Sequence, residues 1–250
     1  MKQLFTLALA TLVPALLQGQ EHAPSAAHWS YQGSTGPQHW GDLEPEYSAC
    51  KAGTHQSPID IRSPERADLP NLSFDYHPVP LKLINNGHTI QVDYAPGSFL
   101  TVDQQKYQLV QFHFHHPSEE HIAGQSYDMV AHLVHKDPAG HLAVVAVLLK
   151  EGKANPLIQT LWNHLPKQVG HETTVSHVQV NAADLLPEHR GYYAYEGSLT
   201  TPPCTEGVRW LVLSDPEEIS ASELHTFSAI YPHNARPTQA VNGRMVKESE

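Results

Sequence analysis

The sequence contains only two cysteines, Cys50 and Cys204, in 250 residues. A four-cysteine metal site and a disulfide-dense miniature fold are both excluded. After Leu17 no uninterrupted apolar run approaches about 18 residues, so no later segment reads as a membrane-spanning helix. Lys and Arg number 15 against 26 Asp and Glu, giving a formal charge of −11, and no basic run occurs. Nucleic acid is therefore not expected as a partner. Internal repeats, low-complexity tracts and linker-like breaks are missing too, which leaves one domain of a size that a single large β unit can fill.

The opening "MKQLFTLALATLVPALLQGQ" has one Lys near its start and an apolar run from Leu4 to Leu17. That run is too short to cross a bilayer and sits where a secretory signal sits. Residues 1–20 are read as an export signal cleaved near residues 19–21, and residues 21–250 as the mature domain, periplasmic or secreted. In an oxidising compartment an even pair of cysteines favours a disulfide over a thiol or metal site. Closing a loop of about 150 residues would contribute at most roughly 5 kcal/mol, through the unfolded state.

Twenty Pro and fifteen Gly punctuate short segments rich in β-branched and aromatic residues. "LKLI", "HTIQVDY", "SFLTVD", "YQLVQFHFH", "MVAHLVH", "LAVVAVLLK", "GYYAYEGSL" and "VRWLVL" read as strands. "LAVVAVLLK" is apolar enough to be a central strand buried on both faces. Two short helices are expected. "NPLIQTLWNHL" has Asn155 as cap, Pro156 at the first helical position, and Leu157, Leu161 and Leu165 on one stripe. "SASELHTFSAIY" places Ser220 and Glu223 in capping-box register. The fold class is mainly β, with a few short peripheral helices.

The chain has 19 His, so a histidine argues for a role only through its spacing. In "QFHFHHP", residues 111–117, strand alternation puts His113 and His115 on one face about 7 Å apart. Phe112, Phe114 and His116 go to the other. Two imidazoles so placed can converge on one ion, with the phenylalanines filling the layer behind. "MVAHLVH" offers His132 or His135 as a third ligand; three apart, these two face opposite sides. Three nitrogens with an open fourth position suit a catalytic zinc, because structural zinc sites are closed by four protein ligands.

"QFHFHHPSEEH", "HLVH", "NNGHTIQV", "QSPIDI" and above all "GSLTTPPCTEGVRW" together resemble the α-class carbonic anhydrases, in their exported bacterial form. The resemblance runs from "HWSYQG" to "NARPTQAVNGR", nearly all of the mature chain. It implies one domain around a large twisted, mainly antiparallel sheet with zinc at the bottom of a cleft. It implies reversible hydration of carbon dioxide to bicarbonate and a proton, one zinc per chain, and a monomer or homodimer.

Residue by residue, the resemblance implies His113, His115 and His132 as zinc ligands. Thr200 would accept a hydrogen bond from zinc-bound hydroxide and pass one to Glu119. Val134, Val144, Leu199, Val208 and Trp210, with Thr200 and Thr201, would surround carbon dioxide. Gln111 would hold a zinc histidine from behind. His88 would be the proton shuttle, with Tyr31, Asn86 and Gln91 holding its water chain. A shuttle is needed on kinetic grounds: a group of pKa about 7 reprotonated at about 10¹⁰ M⁻¹s⁻¹ releases only about 10³ protons per second. Imidazole, with a pKa near 6.5, suits that exchange.

The chain departs from the family at Val130, where a glutamate usually accepts the second N–H of the third zinc histidine. Valine cannot, and nothing in the local sequence replaces it directly, which leaves the role to a backbone carbonyl, a water or a distant side chain. The expectation is looser zinc, tightened by Val130→Glu. The alternative to an enzyme is a non-catalytic zinc-binding or zinc-buffering periplasmic protein, for which the many histidines argue and their scatter, without clustering, argues against.

Overall fold

Period-two alternation of apolar side chains builds the long regular segments of the chain into strands. The computed structural model describes residues 28–249, and the expected export signal over residues 1–20 lies outside the described residues. Ten strands form one continuous ladder: β1 (Glu65–Ala67), β2 (Val79–Asn85), β3 (Ile90–Asp93), β4 (Gln105–His115), β5 (Met129–Lys136), β6 (Leu142–Glu151), β7 (Glu172–Val180), β8 (Tyr192–Ser198), β9 (Glu206–Leu213) and β10 (Lys247–Ser249). Their order across the sheet is β7-β2-β3-β4-β5-β6-β9-β8-β10-β1, and three further short strands join the sheet off this path. Only β6–β9 and β10–β1 run parallel along it. The mainly β fold with short helices expected from the sequence is the fold observed.

The sheet separates two apolar cores. β6 alternates between them: Ala143, Val145, Val147 and Leu149 belong to the larger core, Val144, Ala146 and Leu148 to the smaller. It is the strand buried on both faces that "LAVVAVLLK" announces. The helices Pro156–Trp162 and Ala221–Ser228 cover the larger core with Ile158, Leu161 and Phe227. The Asn155 side chain accepts the N–H groups of Leu157 and Ile158, and Ser220 with Glu223 closes the capping box. The first helix stops at Trp162, short of the expected stripe, yet Leu165 still packs against the same core from the following turn. The polar strand β7, "ETTVSHVQV", was not anticipated; as a sheet edge it is mostly exposed and half its residues have no core to meet.

One irregularity aims the histidines. Opposite β5, Val134 pairs with Gln111 but His135 pairs with Leu109, leaving Val110 as an extra residue in β4. Before this bulge the odd positions Tyr107 and Leu109 face the larger core; after it the even positions Phe112 and Phe114 do. The bulge hands Gln111, His113 and His115 to the opposite face.

Cys50 and Cys204 form a disulfide across a separation of 154 residues. It ties the short helix Ala49–Ala52 to the turn between β8 and β9. Among the described residues no helix is long and apolar enough to cross a membrane. Peptide mapping without reductant should recover the Cys50–Cys204 cross-link. A Cys50→Ser/Cys204→Ser chain should unfold at lower denaturant, with a loss of stability of up to roughly 5 kcal/mol.

Candidate metal centre

The antiparallel register of β4 and β5 sets His113 directly opposite His132, and two residues along β4 brings His115 beside them. One nitrogen from each ring lies within 4.8 Å of the others. The second nitrogen of each ring is tied down. His113 Nδ1–H donates to Gln111 Oε1 at 2.8 Å, and His115 Nδ1–H donates to the Asn234 carbonyl at 2.7 Å. His132 Nε2–H donates to both oxygens of Glu120, at 3.0 and 3.2 Å. These bonds fix the tautomers, leaving His113 Nε2, His115 Nε2 and His132 Nδ1 as inward lone pairs.

Such a set fits a three-nitrogen metal site. His115 Nε2 is buried without any hydrogen-bond partner, an arrangement that costs free energy unless a cation fills it. Burial drives the His113 pKa down to about 3, helped by His132, and drives His115 well below the ordinary imidazole value. Both rings are neutral at pH 7, the form that binds metal. For His132, burial pulls downward but the charge and hydrogen bond of Glu120, with Glu119 behind, outweigh it and raise the pKa. A metal at Nδ1 would compete with a proton there.

His135, the other candidate third ligand, is buried on the far side of β5, where Tyr76 Oη lies 2.6 Å from its Nε2. His116 leaves the site as well, its Nδ1 donating to the Pro232 carbonyl at 2.9 Å.

Glu119 is buried at the floor, its Oε1 accepting the Arg236 N–H at 2.7 Å. Burial pushes its carboxyl up to about 7, against the lowering influence of His132. Its Oε2 faces His115 Nε2 at 3.5 Å and His132 Nδ1 at 3.8 Å. Thr200 is buried and near enough to lower the Glu119 pKa, although Glu119 Oε2 closes no hydrogen bond. The turn carrying Thr200 and Thr201 is braced by Cys204, whose N–H donates to the Thr201 carbonyl at 2.8 Å. Arg236, itself buried, donates to the carbonyls of Ser57 and of Cys50, the turn's disulfide partner.

A cleft of about 140 Å³ leads outward, lined by His113, His115, Thr201, Gln111, Gln91, Tyr31, Asn86 and His88. His88 stacks on Trp29, with ring centroids 3.6 Å apart. Burial lowers the His88 pKa, and the charge of His28 adds to this. Asn86 has its side-chain oxygen engaged in the turn, accepting the His88 and Thr89 N–H groups at 2.9 Å. Gln91 donates to Asp93 at 2.7 Å. On the other side of the histidines, Val144, Val208 and Trp210 are buried in the smaller core, and Val134 and Leu199 pack against it. Trp210 meets the His132 ring edge-on, 4.9 Å between centroids.

Four supporting residues were not singled out from the sequence: Trp29, Asn234, Arg236 and Glu120. Asn234 acts through its backbone carbonyl, which no side-chain pattern discloses. Glu120 is the side chain from another element that takes the place of the acceptor missing at Val130. Loop geometry, not strand spacing, delivers it.

Residues 35–250 match the family described as eukaryotic-type carbonic anhydrase. A carbonic anhydrase from Nostoc sp. is 43% identical over 227 residues, spanning 89% of this chain and 86% of that protein. Among solved structures, a hyperthermostable carbonic anhydrase from an active hydrothermal vent chimney superposes with a TM-score of 0.87 at 48% identity, covering 89% of this chain and all of that one. The α-carbonic anhydrase from Thermovibrio ammonificans, solved with the inhibitor sulfanilamide, gives 0.86 at 43% identity over 90% of this chain and 100% of its own. With that coverage of the sheet and of the histidine strands alike, the chain belongs to the α-class carbonic anhydrases.

Proposed function

We propose that the mature chain, exported to the periplasm or beyond, catalyses the zinc-dependent reversible hydration of carbon dioxide to bicarbonate and a proton. The observation that carries this reading is the set of three imidazoles whose outer nitrogens are all hydrogen-bonded and whose inner lone pairs converge within 4.8 Å. His113, His115 and His132 would hold the ion. Zinc so held supplies a hydroxide nucleophile near neutral pH by lowering a water pKa to about 7, an effect for which carbonic anhydrase is itself the reference case. The remaining cluster chemistry supports one site, since no second convergent group of three His, Cys, Asp or Glu occurs among the described residues.

The chain's own residues then divide the work. Thr200 accepts the nucleophile's proton in a hydrogen bond and donates its own toward Glu119, which turns an oxygen lone pair at the substrate. The wall of Val134, Val144, Leu199, Val208 and Trp210 gives carbon dioxide an apolar resting place with no polar group to bind water tightly. Hydration of carbon dioxide to bicarbonate leaves one proton of the reacting water per turnover, which the chain's own residues must carry out of the cleft. That proton travels along the polar cleft past Thr201, Tyr31 and Gln91 to His88. His88, neutral at pH 7 because burial lowers its pKa, accepts the proton and releases it at the mouth.

Purified mature protein should carry about one zinc and hydrate carbon dioxide. His132→Ala should lose both properties, whereas a folded His135→Ala should keep its zinc; loss of zinc from the second variant alone would reverse the ligand assignment. His88→Ala should lower turnover in weak buffer toward about 10³ s⁻¹, with partial recovery on adding imidazole and little change in the carbon dioxide step. Unchanged turnover in weak buffer would place the exit route elsewhere. The His88 ring protons should titrate by nuclear magnetic resonance below the ordinary midpoint near 6.5, so shuttle-dependent turnover falls only as pH drops through that lower value.

A further inference from the structure

Val130 and His132 share a face of β5, and Val130 is buried in the smaller apolar core among Ile59, Ile61, Leu148 and Val208. Its side chain has no acceptor to give His132. Glu120 stands in that role from a different element. It lies in the loop between β4 and β5, is completely buried, and accepts the His132 Nε2–H with both oxygens at 3.0 and 3.2 Å. Among the described residues no other group hydrogen-bonds the Glu120 side chain. A buried carboxylate with a single partner is costly to keep and strongly directed at that partner.

The loop is built to hold it. Ser118 Oγ donates to the Glu120 carbonyl at 2.9 Å and accepts the Tyr127 N–H at 2.8 Å, so the backbone on one side is pinned across the loop. On the other side His121–Ile122 pairs in parallel with Asp60–Ile61. Between these anchors Glu119 and Glu120 both turn inward, to opposite nitrogens of the same ring. We propose that Glu120 is the positioning residue of the third metal ligand: the carboxylate that orients His132 is supplied by the loop, and Val130 is the compensating half of the exchange, filling with apolar volume the place a strand carboxylate would occupy.

This inference rests on the zinc reading of the three histidines. It also reverses the expectation for Val130→Glu. With Glu120 in place, a carboxylate at position 130 has no free imidazole N–H to accept from and adds a third buried carboxyl beside Glu119 and Glu120, so Val130→Glu alone should not slow zinc loss.

The test measures zinc release to an excess of chelator from the loaded, full mature chain. Glu120→Leu, which keeps the volume and removes the acceptor, should release zinc about 10- to 100-fold faster. Adding Val130→Glu to that variant should recover part of the loss, which a merely structural Glu120 would not allow. Wild-type release from a folded Glu120→Leu, or slowing of tenfold or more by Val130→Glu alone, would overturn the proposal. Because Glu120→Leu can fail to fold, the unaltered protein supplies a second reading. Its zinc-loaded form should show a hydrogen-bonded His132 Nε2 proton, slow to exchange with solvent, in ¹⁵N-resolved spectra; a freely exchanging one would equally overturn it. A wild-type chain that takes up no zinc would sink the zinc reading instead.

Discussion

The antiparallel ladder between β4 and β5 is the constraint on which the site depends. Opposite partners on one face of such a pair have Cβ atoms about 5 Å apart, and His113 is the partner of His132. Neither side chain can leave without sliding the register of the central sheet, and a slip of one residue would send every side chain of β5 to the other face. The two apolar cores forbid that slip. Met129, Ala131 and Leu133 are committed to one core and Val130 to the other, so the histidine position is enforced by burial on both sides of the sheet.

The site is held as much by what stands behind the rings as by the rings. A histidine offers its second nitrogen in a useful direction only if the first is fixed, and three different devices fix it here. Gln111 does so from the same strand face, the Asn234 carbonyl from the segment before Arg236, and Glu120 from a pinned loop. Distant segments therefore converge on one constellation. Arg236 shows the consequence, because its backbone holds Glu119 while its guanidinium holds the Gln56 side chain and the Ser57 and Cys50 carbonyls. The disulfide, the threonine turn and the floor of the cleft form one braced unit.

What the sequence discloses follows from the range of each interaction. The strands and both capped helices are local patterns, and "QFHFH" and "LAVVAVLLK" state their faces in two-residue steps. The choice between His132 and His135 is half local: parity separates them, but only the register with β4 says which side holds the site. The bulge at Val110 is written as a change from odd to even apolar positions, Tyr107 and Leu109 before Phe112 and Phe114, and reads as a bulge only when the core they share is known. The Asn234 carbonyl and the Arg236 N–H reach His115 and Glu119 across more than 100 residues of sequence, and β7 is a polar edge; neither leaves an apolar rhythm to read. Glu120 hid because strand spacing pointed to position 130, whereas the acceptor arrives from a loop to which that spacing does not apply.

The placement of Glu119 and Glu120 carries a further physical argument. Two carboxylates, adjacent in sequence and both buried, repel each other and lose hydration together; at short range in a low dielectric the cost is several kcal/mol per ion. They are tolerable only around a cation. His132 lies between them, with Nε2 on Glu120 and Nδ1 facing Glu119, and is pushed toward its protonated form by both. A divalent ion held by this triad would bring two charges to the same two carboxylates, with neutral His113 and His115 able to serve beside His132. The unpartnered His115 Nε2 and Glu119 Oε2, 3.5 Å apart, are the other side of that account. As a carboxyl drawn toward neutrality by burial and toward ionisation by His132, Glu119 is balanced between its two forms. Thr200 is buried beside it, near enough to lower its pKa, with a hydroxyl able to donate when Glu119 is charged.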